Sequence, residues 1–492
     1  MKKIRFFSFI LLVSGLVACS PVYKFTLIQI NDTYEIAPLE NGKVGGMARV
    51  ATLKKQIQQK QPHTFLLHAG DFLSPSVYNG INYQGDKVHG LQMIETMNAM
   101  GVDYAIMGNH EFDGTESQLQ RAIQASQFTW LSSNVKNANK QPFLQQNKAL
   151  PHSVVLSIPH KKSNKKLQVG LIGITLEQYQ KPYLYIENIY EAAQKAYQEV
   201  AQKTDFVVAL THLSLEEDKK LAQKVPQLKL QMGGHEHENI LLQEGKVRIT
   251  KADANVKTAY LHHFTVKGKK VNIQSVLYPI DTNLKPEPTT QQVVDKWKNM
   301  ADAVFMTMGF APQEVVYYAQ KELDGLEKSV RNYPTALTDL IGKSMLAACP
   351  ECDVAAFNGG SVRIDDKLIG AITQYDVMRI LPFGGGIEVV QMKGNTLQKM
   401  LQVGIQNKGT GGYLQTAGVV HKANGSIEIQ GEILQPEQTY TVALSAFLLT
   451  GKEKNLDFLN PLHQEVNVIQ PQKTALCSDM RKALIDYLKG LN

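Results

Sequence analysis

Five short polar clusters stand in chain order, each at or just after an apolar, strand-like run. Asn31-Asp32 follows Phe25 to Ile30, and Gly70-Asp71 follows Phe65 to Leu67. Gly108-Asn109-His110-Glu111 follows Tyr104 to Met107, Thr211-His212 follows Phe206 to Leu210, and Gly234-His235-Glu236-His237 follows Leu228 to Met232. Strands that each end in a carboxylate, amide or imidazole can converge on one edge of a sheet, where α/β folds gather their ligands. Asp71 is the candidate to bridge two cations, because one carboxylate can share its oxygens between them. Asn109 offers a neutral carbonyl oxygen, Asp32 a second carboxylate, and His212, His235 and His237 imidazole nitrogens. Such mixed ligation suits zinc, manganese, cobalt or iron better than calcium. His235 and His237 are two residues apart, so in a regular strand they point the same way.

The rest of the chain agrees with a layered α/β architecture. The pattern predicts helices over Val44 to Lys60, Leu91 to Met100, Glu116 to Ser126, Tyr190 to Lys203 and Leu215 to Lys224. Strands are expected over Trp130 to Val135 and Leu167 to Ile174, with antiparallel strands over 247–277. Pro279, Asp281-Thr282-Asn283, Pro286 and Pro288 break the pattern and mark a boundary. One long helix, Gln291 to Met308, then precedes a second α/β region with a helix at Thr335 to Ala348 and strands near Val354 to Phe357, Ile387 to Met392 and Tyr440 to Leu444. The expected division is a leader over 1–18, a catalytic domain over 20–285, a helical linker over 286–311 and a substrate-binding domain over 312–492.

The chain begins with Lys2, Lys3 and Arg5, an apolar run from Phe6 to Val17, and Leu16-Val17-Ala18-Cys19. The run is short for a membrane span, and small residues before a cysteine resemble a lipoprotein signal. Export is therefore expected, with a lipid anchor at Cys19 as the only membrane attachment. Ser20 after that cysteine resembles the outer-membrane sorting pattern, facing the periplasm or the cell surface. Removing residues 1–18 takes the net charge from +7 to +4 (7 − 3), and no dense basic run supports a nucleic-acid polymer as partner. In an exported chain, Cys349 and Cys352 read first as a local disulfide.

The five clusters, with Phe112-Asp113 completing the third, resemble the calcineurin-like metallophosphatases. More closely, they resemble the two-domain bacterial 5′-nucleotidase family, from about Phe25 to about Phe458. The resemblance implies an N-terminal metallophosphoesterase α/β sandwich and a C-terminal α/β substrate-binding domain. It implies two divalent ions (zinc, manganese, cobalt or magnesium), one held by Asp71, Asn109, His212 and His235, the other by Asp32, Asp71 and His237. His110 and Asp113 would be a catalytic pair beside the ions, an imidazolium steadied by a carboxylate. Taken alone, Asp113 could instead be a helix N-cap before Gly114-Thr115. Where the family usually has a histidine two residues after its first aspartate, this chain has Tyr34. Either an ion recruits its phenolate, or water fills the gap.

In the second region, Asn358-Gly359-Gly360-Ser361-Val362-Arg363, Pro382-Phe383-Gly384-Gly385 and Gly412-Tyr413-Leu414-Gln415 match the family's substrate domain. The resemblance implies that Arg363 pairs with the substrate's anionic groups and that Tyr413 and Phe447 stack on its base, with Asn358 nearby. Glu453, in Gly451-Lys452-Glu453-Lys454, stands where the family often has an aspartate that holds the nucleoside. The expected reaction is hydrolysis of nucleoside 5′-monophosphates. The rivals are a 2′,3′-cyclic-nucleotide phosphodiesterase with 3′-nucleotidase activity, a nucleotide-sugar pyrophosphatase, and, in another class, a non-catalytic surface nucleotide-binding protein.

Overall fold

The computed structural model describes residues 21–161, 163–177, 181–469 and 479–491. The leader, Cys19 and Cys477 lie outside the described residues. Among the described residues no helix is long and apolar enough to cross a membrane.

The first domain is two six-stranded sheets packed face to face. One sheet has the order Lys270–Pro279, Thr258–Lys267, Val22–Ile30, Thr64–His68, Tyr104–Ala105, Thr129–Trp130. The other has the order Ser153–Pro159, Lys166–Thr175, Phe206–His212, Leu230–Gly233, Val247–Lys251, Ile240–Glu244. Alternation along the strands builds the layers. Phe25 and Leu27 point inward to meet Leu167, Val208 and Leu230 of the facing sheet. Ile28 and Ile30 point outward beneath the helices Met47–Lys60 and Leu91–Met100. The second sheet is covered by Ile189–Ala201 and Leu215–Lys224. Because both faces of each sheet are buried, the central strands read as continuous apolar runs.

Two sequence expectations change here. The run from Trp130 to Val135 is two short strands, Thr129–Trp130 and Val135–Asn137. Between them Asn134 leaves the sheet, and its side-chain amide donates to the Thr175 carbonyl at 2.6 Å. Within 247–277 the strand Val247–Lys251 is antiparallel to Ile240–Glu244 but parallel to Leu230–Gly233, because the hairpin reverses the chain before it returns to the sheet.

The long helix forms as Pro288–Thr307, with Glu287 as its cap and Pro288 at its first position. It packs along Leu91–Met100 and Met47–Lys60, burying Val294, Trp297, Ala301 and Phe305. The apolar cluster under it continues through Phe310 and Val316 into the second domain. That domain holds a five-stranded sheet, order Leu414–Ala417, Val354–Asn358, Thr439–Ser445, Ile387–Lys393, Asn467–Ile469. Ala336–Ala348 packs against Val354–Asn358 and against the terminal helix Met480–Lys489, and Gly394–Gln406 packs against Ile387–Lys393. Cys349 and Cys352 are joined in a disulfide.

Candidate metal centre

In each sheet the strands that carry the polar clusters run parallel: Val22–Ile30 with Thr64–His68 and Tyr104–Ala105 in one, Phe206–His212 with Leu230–Gly233 in the other. Their carboxyl ends therefore meet at one edge of the sandwich, and all five clusters lie there. The backbone pays for this convergence in conformation. Asp32, Asp71 and His235 have φ of 48°, 59° and 82°, a left-handed region that side chains disfavour by roughly 1–2 kcal/mol each. Gly70 lies so close to the neighbouring loop that a Cβ there would come within 2.6 Å of the Gly108 nitrogen.

Glu111 holds the Asp71 turn in place. Its buried carboxylate accepts the backbone N–H groups of Asp71 (2.9 Å), Phe72 (2.7 Å) and Leu73 (3.1 Å), and that of Gly108 as well. Burial, and then the charge of Asp71, push the Glu111 carboxyl up to about 7. Sequence reasoning gave Glu111 no role, because its four donors come from backbone distant in the chain or hidden in the loop geometry.

Three of the candidate ligands surround one point. Ligand atoms of Asp32, Asp71 and His212 all lie within 4.8 Å of one another, and all three residues are buried. His212 Nε2 is 3.2 Å from Asp71 Oδ2 and 4.0 Å from Asp32 Oδ1. His237 Nε2 is 3.5 Å from Asp32 Oδ1. The His212 Nδ1–H donates to the Ala69 carbonyl at 2.7 Å, which fixes the tautomer and aims Nε2 at the cluster. Asn109 Oδ1 is buried without a hydrogen-bond partner. Buried polar atoms are almost always satisfied, so an orphaned amide oxygen on the same cavity as Asp71 fits a cation. Burial pushes the Asp71 carboxyl up, but His212 and His110 outweigh it and hold it below the usual carboxylate range. Burial pushes His212 down, but Asp71 lifts it to about 9. Cation binding at Nε2 would displace that proton.

His235 and His237 do not sit in a regular strand. The strand ends at Gly233, and the turn at His235 separates the two rings. His235 packs edge-on against His212, while His237 tilts against Tyr34. The Tyr34 hydroxyl lies 3.1 Å from His237 Nε2 and 3.5 Å from Asp71 Oδ2, inside the cluster. Burial, then the charges of Asp71 and Asp32, push the Tyr34 phenol well above its ordinary value.

His110 and Asp113 stand beside the ligands. His110 Nδ1 is 2.8 Å from Asp113 Oδ2, and the Ser74 hydroxyl donates to the same oxygen at 2.9 Å. Thr115, not Asp113, caps the helix Glu116–Ala125. Burial pushes the His110 imidazole down, but Asp71 and Asp113 outweigh it and raise it above its usual value. Arg363 reaches over from the second domain, with its guanidinium 3.9 Å from Asp113 Oδ2 and 5.7 Å from the centre of the Phe383 ring.

A cavity of about 390 Å³ opens on the cluster, walled by Asp71, Asn109, His110 and His237 on one side and by Arg331 and Asp365 on the other. Phe447 lines a second cavity of about 350 Å³, largely apolar, with Phe383, Leu381, Ser445 and Asn358. Asn358 donates to Glu453 Oε2 at 3.2 Å. Tyr413 and Glu453 line neither cavity. Two further residues carry no sequence signal for their place here. Asp365 abuts the Nδ1 of His237. Lys251, fully buried, donates to the carbonyls of Leu213 and Gly234 and pairs with Asp218 and Glu236, tying the His212 strand to the His235 loop.

The calcineurin-like phosphoesterase family model matches residues 25–239, and that of the 5′-nucleotidase C-terminal domain matches residues 315–460. A 5′-nucleotidase of Bos taurus is 28% identical over 477 residues, covering 83% of this chain and 78% of that protein. The trifunctional nucleotide phosphoesterase protein YfkN of Bacillus subtilis (strain 168) is 27% identical over 512 residues, covering 90% of this chain. The match takes in 33% of that protein, so this chain spans about a third of its length. Among solved structures, a 5′-nucleotidase precursor from Thermus thermophilus shares the fold, with a TM-score of 0.72 at 24% identity, covering 95% of this chain and 97% of that one.

Proposed function

We propose that this chain, a two-domain member of the 5′-nucleotidase family of calcineurin-like phosphoesterases, hydrolyses nucleoside 5′-monophosphates to nucleoside and phosphate. As a family member it is a hydrolase of phosphoric esters that uses divalent metals. The observation that carries the proposal is the approach of Asp32, Asp71 and His212 to within 4.8 Å of one another, with Asn109, His235 and His237 on the cavity beside Asp71 and Asn109 Oδ1 buried and unsatisfied. One cation would be held by Asp71, Asn109, His212 and His235, and the other by Asp32, Asp71 and His237. The chemistry supplied by two such cations is Lewis acidity toward the phosphate and easier deprotonation of the attacking water.

The chain's own groups do the rest. His110, protonated and held by Asp113, stabilises charge growing on the transferring phosphate and gives its proton toward the leaving oxygen. Arg363 lies close to Asp113 on one side and to Phe383, which lines the second cavity, on the other. A phosphate in the first cavity and a base in the second would span it, with Phe447 supplying an aromatic face. Asn358 lines the same cavity and donates to Glu453, while Tyr413 lies outside it. The Tyr34 hydroxyl touches the cluster. We also propose that the chain is exported and held at the outer membrane through lipid on Cys19. A Cys19→Ser variant is then expected in the soluble fraction, and its retention in the membrane fraction would overturn the anchor.

The test is phosphate release by the soluble mature chain after chelation and re-addition of manganese, zinc, cobalt or magnesium. The panel holds 5′- and 3′-nucleotides, cyclic nucleotides, nucleotide sugars and an aryl phosphate. Metal-restored release that is fastest from 5′-nucleotides and lost in Asp71→Asn is expected. Preference for a cyclic nucleotide or a nucleotide sugar would replace the substrate assignment. No turnover with any metal by a folded chain would favour a binding protein.

A further inference from the structure

We infer that Asp365, a carboxylate contributed by the C-terminal domain, is a positioning residue for His237, so that one of the two cation sites is complete only when the domains meet. The inference rests on the two-cation reading given above and goes beyond it in assigning part of the metal site to the substrate-binding domain. Nε2 of His237 faces the cluster, 3.5 Å from Asp32 Oδ1 and 3.1 Å from the Tyr34 hydroxyl. Its opposite ring nitrogen, Nδ1, is in ion-pair contact with Asp365 Oδ2, at an angle short of a regular hydrogen bond. An imidazole that offers Nε2 to a cation must keep its proton on Nδ1, and a carboxylate there fixes that tautomer and the ring's direction.

Asp365 is itself held for the task. Its other oxygen accepts the Glu327 backbone N–H at 2.5 Å, and its backbone sits at φ 40°. The surrounding contacts run the same way. Glu35, beside Tyr34, accepts from the Tyr375 hydroxyl at 2.7 Å and from Arg379 Nε at 3.2 Å. Glu238, beside His237, pairs with Lys328 at 2.6 Å. Contacts from the second domain thus reach both loops that carry the Asp32–His237 site, the buried one at Glu35 and a surface one at Glu238. The contrast is His212, whose Nδ1–H is fixed by the Ala69 carbonyl of its own domain. The two cation sites therefore differ in kind. One is supported within the N-terminal domain, and the other borrows its support across the interface.

The test is equilibrium binding of Mn²⁺ to the chelated full-length chain, read from the electron paramagnetic resonance signal of the free ion. The native chain is expected to bind two ions. Asp365→Ala should keep one at native affinity and weaken the other about 10–100-fold. The isosteric Asp365→Asn, which retains a carbonyl acceptor, should weaken the same ion less, and it carries the test if the alanine variant does not fold. Two ions bound at native affinity in both variants would overturn the inference while leaving the two-cation reading intact, and so would equal weakening of both ions. Fewer than two ions on the native chain would overturn that reading and the inference with it.

Discussion

His110 shows how one side chain's role is set by its neighbours. Burial ordinarily lowers an imidazole, yet Asp71 and Asp113 together raise this one above its usual value. His110→Ala is expected to lower kcat by roughly 10²–10⁴-fold while leaving KM within a few-fold, since the proton matters in the transition state more than in binding. Steady-state kinetics on a 5′-nucleotide checks this, and an unchanged kcat would remove His110 from the chemistry. The candidate ligands were legible in sequence because each sits at a junction between an apolar run and a polar loop, which is a local signal. Asp113 was ambiguous between partner and helix cap until Thr115 was seen to take the cap. Glu111 and Asp365 were not legible in their roles. Glu111 works through backbone donors of a separate loop, and Asp365 through a histidine 128 residues earlier in the chain (365 − 237).

At the scale of elements, the helices were readable because their apolar period is local. Strand partners were not, since pairing of Val247–Lys251 with Leu230–Gly233 depends on an intervening hairpin. That strand ends in Lys251, whose ammonium is sealed between Asp218, Glu236 and two carbonyls. Lys251→Met would leave Asp218 buried without its cation and is expected to cost about 3–5 kcal/mol. Urea unfolding measures it, and a loss under about 1 kcal/mol would show the network to be dispensable. The long helix offers a pH test. Its cap, Glu287, is pushed up by burial, but Lys55 and Thr290 outweigh this and lower it from 4.5 to about 2. A depressed carboxylate stabilises the fold above its unfolded value, and that contribution is lost as pH falls toward the folded one. Glu287→Ala should therefore destabilise the chain by about 1 kcal/mol at pH 7. The gap in thermal midpoint should narrow between pH 4.5 and about 2. A gap independent of pH would contradict the assignment.

For the whole molecule, the sequence showed two α/β regions and a boundary but not how they meet. The interface is polar where it touches the site, with Arg379 buried against Glu35 and Asp376, and apolar where the long helix hands its cluster on to Val316. Arg379→Met is expected to strand Glu35 in that interface at a cost of about 3–5 kcal/mol. Calorimetry should then show two unfolding transitions, against the single one expected of the native chain. A single unchanged transition would mean that the domains are held by the apolar contact alone.

The central claim is that the five sequence clusters form a two-cation centre bridged by Asp71. The most direct measurement is an anomalous-difference map from crystals equilibrated with Mn²⁺. The account predicts two peaks roughly 3.5–4 Å apart, on either side of the Asp71 carboxylate, one beside Asn109 and His212 and the other beside Asp32 and His237. A single peak, or peaks away from Asp71, would contradict it.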